Sequence, residues 1–86
     1  MKILIVEDNI QICELYQLFL KEMNGVITAT SIRDARLFLK SNPDIDLVVL
    51  DGLVPLFRNE MPTKTLGLAS EILETHPNIV NCGSII

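Results

Sequence analysis

Two uninterrupted apolar runs, Ile3-Leu4-Ile5-Val6 and Leu47-Val48-Val49-Leu50, stand out in a chain whose other apolar positions fall mostly at helical spacing. Runs this short cannot make a helix and read as strands buried on both faces of a parallel sheet. After the first run, Asn9 is placed to cap a helix, and Ile12, Leu15, Tyr16, Phe19, Leu20 and Met23 fall on one face that is expected to turn inward. Asn24-Gly25 supplies its stop signal, and Val26 to Ala29 reads as a second strand. Ser31 then caps a second helix with the inward stripe Ile32, Ala35, Phe38 and Leu39, ended by Asn42-Pro43. The third strand runs from Asp46 to Leu50. A breaker-rich stretch with Gly52, Pro55 and Pro62 precedes a third helix, marked by Leu66, Ala69, Ile72 and Leu73 and stopped at His76-Pro77. Ile79 to Cys82 is the fourth predicted strand.

Strands alternating with helices imply an α/β fold, with right-handed crossovers placing helices on both faces of one parallel sheet. No repeat, low-complexity segment or linker divides residues 1–86, so a single domain is expected. The connection over residues 52–65 is atypical, because α/β units usually join their elements through about two to six residues. It is expected to be functional, disordered, or a local departure from a regular plan.

Composition narrows the function classes. The chain has 86 residues, of which 49% are hydrophobic, enough for a packed core and too many for disorder. Its net charge is −4 and its lysines and arginines are scattered, so no nucleic-acid footprint is present. The N-terminal apolar run is broken by Glu7 and Asp8, far short of a signal sequence, and no stretch approaches membrane-spanning length. A cytoplasmic location with no membrane partner is the expectation. Cys13 and Cys82 lack metal-type spacing and read as reduced, buried, small apolar residues.

The candidate chemistry lies where the two apolar runs end. Glu7-Asp8 closes one and Asp51 the other, so adjacent parallel strands would bring three carboxylates to one edge of the sheet. Ligands of open α/β sheets bind at the carboxyl ends of the strands. Like charges crowded there are costly unless a cation neutralises them, so the trio predicts an acidic, metal-binding site.

These residues resemble the receiver domain of two-component response regulators. Lys2-Ile3-Leu4-Ile5-Val6-Glu7-Asp8-Asn9 looks like that family's first strand and acidic pair. Asp46-Leu47-Val48-Val49-Leu50-Asp51, running on through Val54-Pro55, looks like its phosphoacceptor strand. The likeness is strong over residues 1–55 and weak over 66–82. It implies a flavodoxin-like, doubly wound parallel sheet with strand order 2-1-3-4, incomplete at four strands and three helices. It further implies that Asp51 accepts a phosphoryl group from a histidine kinase or phosphotransfer protein. The implied cofactor is Mg²⁺, held by Asp8, Asp51, Glu7 and the main-chain carbonyl of Leu53, a set consistent with that ion's demand for oxygen ligands. The family's hydroxyl at the end of the fourth strand falls on Cys82 by counting from Pro77, or on Ser84 if the strand runs further. Beyond self-phosphorylation at Asp51, no enzymatic activity is expected.

Departures from the family are equally plain. Residues 56–65 intervene before Leu66-Gly67 and look like an insertion beside the site. No residue matches the family's lysine, and the fifth strand and the last two helices have no counterpart, so the chain reads as a C-terminally truncated receiver. That reading predicts slow or uncoupled phosphorylation and an unpaired edge strand prone to self-association. The alternative is a degenerate receiver acting only as a protein-interaction or dimerisation module. Haloacid-dehalogenase-type phosphatases and topoisomerase-primase modules also place an Asp after a buried strand, but need a second acid where Leu53 stands.

Overall fold

The computed structural model describes residues 2–22, 25–58 and 60–83. Four parallel strands form the central sheet: β1 (Ile3–Val6), β2 (Val26–Ala29), β3 (Leu47–Leu50) and, last in the chain, β6 (Val80–Gly83). Their order is β2-β1-β3-β6, the expected arrangement. Two more strands, β4 (Leu53–Pro55) and β5 (Pro62–Lys64), pair antiparallel as a separate hairpin. The three helices are α1 (Ile10–Phe19), α2 (Ile32–Ser41) and α3 (Leu66–Thr75).

The apolar runs become the two inner strands. Ile3, Leu4, Ile5 and Val6 are all buried, as a strand covered on both faces requires. Alternation then divides them between faces. Leu4, Val6, Ala29, Val48 and Leu50 share one cluster with Ile32, Ala35 and Leu39 of α2 and Leu68 and Ile72 of α3. Arg36 of α2 meets Glu71 of α3 at 3.0 Å across the outside of that layer. Ile3 and Ile5, with Cys13, are buried outside the cluster and mark the opposite face, where α1 is the one helix among the described residues.

Both predicted caps form. Asn9 Oδ1 accepts from the N–H groups of Gln11 and Ile12 at 3.0 and 3.3 Å, and Ser31 Oγ accepts from that of Asp34 at 3.1 Å. Elsewhere the helices depart from expectation. α1 ends at Phe19, well before Asn24-Gly25, and its inward set is Ile12, Cys13, Tyr16 and Leu20. Leu15 and Phe19, expected to face the core, are 51% and 78% exposed. The helix instead turns Cys13 inward, where it is buried and its thiol donates to the Glu7 carbonyl at 3.3 Å. In α3, Leu68 and Ile72 are buried and the expected Ala69 packs against the same cluster, while Leu73 is exposed. Met23 and Asn24 lie outside the described residues.

The atypical connection is the hairpin. Leu53 faces Lys64, Val54 faces Thr63, and Pro55 faces Pro62. Thr63 Oγ1 donates to the Val54 carbonyl at 3.1 Å, and buried Val54 anchors the hairpin in the main core.

Candidate functional site

Register builds the acidic site. Val6 lies level with Leu50 in the parallel β1–β3 pair, so Glu7 and Asp51 each follow one residue beyond matched strand ends. Two main-chain bonds continue the ladder: Asp51 N–H donates to the Val6 carbonyl at 3.0 Å, and Glu7 N–H to the Ala29 carbonyl at 2.9 Å. Asp8 follows in the turn to α1. One carboxylate oxygen from each of Glu7, Asp8 and Asp51 lies within 4.8 Å of the others. An all-oxygen trio this close suits a hard divalent cation such as Mg²⁺.

Glu7 is the unusual member. It is only 5% exposed. Burial raises its carboxyl from 4.5 to about 7, aided by a hydrogen bond with Asp51 and by repulsion from Asp51 and Asp8. The Asn9 N–H, donating to Glu7 Oε1 at 3.3 Å, pulls the other way. Near neutrality Glu7 can therefore hold a proton, in its hydrogen bond with Asp51. Burial also pushes the Cys13 thiol up, with Glu7 and Asp8 adding to the effect, which makes that cysteine a poor nucleophile.

No protein-family model and no curated protein matches the sequence. Among solved structures, the chain is similar to the signal receiver domain of a protein named as a Luxo repressor from Vibrio parahaemolyticus. The likeness has a TM-score of 0.60 at 20% sequence identity and covers 99% of this chain and 78% of that one. The fold is that of a receiver domain. At that identity the likeness establishes the fold, and the chemistry rests on the residues themselves.

Within the receiver fold the other expected site positions are distributed unevenly. Leu53, expected to offer its carbonyl, opens the hairpin as the first residue of β4 and is exposed. Cys82 stands opposite Val49 in the β3–β6 register, below the level of Asp51. Ser84 lies outside the described residues. His76 ends α3 as its C-cap, in line with its reading as punctuation.

Three residues contribute that the sequence did not announce. Thr65, buried at the start of α3, donates its hydroxyl to the main-chain carbonyl of Asp51 at 2.6 Å and its N–H to that of Gly52 at 3.1 Å. It forms no side-chain cap for α3, and its backbone there departs from the extended conformation of a capping residue. Arg58, beyond β4, meets Asp34 of α2 at 2.8 Å. Thr30, just past β2, joins Asp8 and Arg58 in lining a cavity beside the acids. A Ser or Thr directly after a strand or before a helix was the available signal for Thr30 and Thr65. For Arg58 there was none, because its position depends on how the hairpin folds back.

Proposed function

We propose that the chain is a receiver-type signalling domain in which Asp51 accepts a phosphoryl group with the help of Mg²⁺. What supports this reading most is the convergence of the Glu7, Asp8 and Asp51 carboxylates within 4.8 Å at the carboxyl edge of a receiver-type sheet. The donor class is a phosphohistidine on a kinase or phosphotransfer protein, and a cytoplasmic setting belongs to the same reading.

In the transfer, an Asp51 carboxylate oxygen bonds to phosphorus as the bond from phosphorus to the donor's imidazole nitrogen breaks. The electron pair stays on that nitrogen, which takes up a proton. Asp8 and Glu7 would hold the cation together with Asp51, and the cation supplies charge neutralisation where one anion approaches another. Thr65 and the Val6 carbonyl fix the backbone on either side of the nucleophile, through the Asp51 carbonyl and N–H respectively. Keeping the Asp51 backbone still holds its carboxylate on line for attack.

The test is direct. With Mg²⁺ and a small phosphodonor, intact-mass measurement should show one phosphoryl adduct that Asp51→Asn abolishes; no adduct on the wild-type chain at millimolar Mg²⁺ would sink the proposal.

A second reading is favoured by a separate observation. Ile10, Leu15, Leu18 and Phe19 of α1 are exposed, and β6 ends the sheet with no neighbour beyond it among the described residues. Both features suit a protein-interaction or dimerisation module.

A further inference from the structure

Beside the acidic trio lies a cavity of about 250 Å³ lined by Asp8, Ile10, Thr30, Pro55, Arg58 and Glu60. Asp8 belongs both to the trio and to the cavity wall, so the two spaces meet at that residue. The far wall comes from the segment after β4, which is bound to α2 at several points. Arg33 N–H donates to the Leu56 carbonyl at 3.0 Å, the Arg33 guanidinium lies 6.0 Å from the centre of the Phe57 ring, and Arg58 Nε donates to Asp34 Oδ2 at 2.8 Å. Asp34 is itself fixed in the first turn of α2 under the Ser31 cap. Glu60, the other acid in this wall, accepts from the Phe57 N–H at 3.1 Å and so closes its own turn. Arg58 is thereby held at the cavity by Nε, which leaves the rest of its N–H fork to offer.

We propose, building on the phosphoacceptor reading of Asp51, that this cavity is an oxyanion pocket in which Arg58 meets the oxygens of the phosphoryl group and Thr30 adds a hydroxyl. Charge balance is the physical reason. A phosphoryl group carries about two negative charges at neutral pH, and together with Asp8 it outweighs one divalent cation. Arg58, although paired through Nε with Asp34, is the one cation among the described residues of the cavity lining, and a guanidinium fork matches phosphoryl oxygens in shape as well as sign. The hairpin thus acquires a role: it carries a cation to the rim of the acidic centre.

The pocket should bind an oxyanion only once the cation is in place, since Asp8 and Glu60 otherwise repel it. The experiment titrates beryllofluoride, a phosphoryl mimic, into the full chain at saturating Mg²⁺, followed by amide chemical shifts. Mg²⁺ alone is titrated separately. Losing one charge-assisted contact predicts about tenfold weaker beryllofluoride binding for Arg58→Gln. Arg58→Lys should recover part of the loss, and Mg²⁺ binding alone should be unchanged or tighter. Asp34→Asn, which frees Arg58 without altering its charge, should give an intermediate loss and carries the test if Arg58→Gln does not fold. Equal beryllofluoride affinity for wild type and Arg58→Gln overturns the pocket and leaves the phosphoacceptor reading standing. Weakening of Mg²⁺ and beryllofluoride alike overturns it too, by making Arg58 a structural residue. If the wild-type chain binds no beryllofluoride, the phosphoacceptor reading falls and takes the pocket with it.

Discussion

Glu7 carries the cost of gathering three acids at the end of two buried strands. Its carboxyl rises from 4.5 to about 7, so the folded chain holds that proton more tightly than the unfolded chain does. Stability linked to Glu7 is therefore complete below the unfolded value and is lost as pH rises through the folded one. A shift of this size corresponds to roughly 3 kcal/mol once both states are ionised. The melting temperature of the metal-free chain should fall as pH rises through this range, Glu7→Gln should remove most of the slope, and Mg²⁺ should restore stability on the alkaline side by taking the proton's place. A flat profile for the wild type would remove Glu7 as its source. Thr65 works at the same scale. Thr65→Val keeps the shape but leaves the Asp51 carbonyl without its 2.6 Å donor, and should cost about 1–3 kcal/mol in denaturant unfolding.

The helices differ in how they are secured. α2 has a side-chain cap, a stripe of Ile32, Ala35 and Leu39 in the main core, and the hairpin bound along its first turns. α1 is equally well capped but buries Cys13 alone, with Ile12, Tyr16 and Leu20 half-covered. Helical stability in proteins comes mainly from tertiary packing of one face, so a cap cannot compensate for the missing contacts. Amide hydrogen exchange should therefore be faster along α1 than along α2 under native conditions; comparable protection would show that α1 is secured by contacts additional to these. The hairpin is the counter-example. Its second strand, Pro62-Thr63-Lys64, is exposed and has no apolar alternation, so the hairpin is held by Val54 in the core and by the bonds of its loop to α2.

At the scale of the molecule the two faces of the sheet are unequal. One carries α2, α3 and the main cluster; the other carries α1, beside which Leu47 and Val49 of β3 remain partly exposed. Every hundred Å² of apolar surface left wet forgoes about 2.5 kcal/mol, a large share of a small domain's stability. Covering it with another copy is the response we expect, through α1, the β6 edge, or both. Light scattering should show concentration-dependent association at micromolar chain, and Phe19→Glu should weaken it if α1 takes part. A wild-type chain that stays monomeric would end this expectation, while association unaffected by the substitution would direct attention to β6.

The strands, the caps and the acidic trio were legible in the sequence because each depends on short-range information. Four apolar residues in a row specify an inner strand, fully buried in β1 and half-buried at Leu47 and Val49 of β3. Asn9 and Ser31 cap through bonds to N–H groups a few residues on, and an acid directly after each strand must emerge at its carboxyl end. Parallel register then does the rest, since matching Val6 to Leu50 leaves Glu7 and Asp51 little choice but to meet. The rotation of α1 was not legible, because several faces of that helix are apolar and only tertiary packing selects among them. The hairpin was hidden for a related reason: its strands are chosen by partners across the loop, with no periodicity of their own. Arg58 reaches the cavity beside the acidic site by that folding-back, held by an ion pair to a residue 24 positions away. The chain's local pattern thus determined where the acids stand, and tertiary contact decided what stands opposite them.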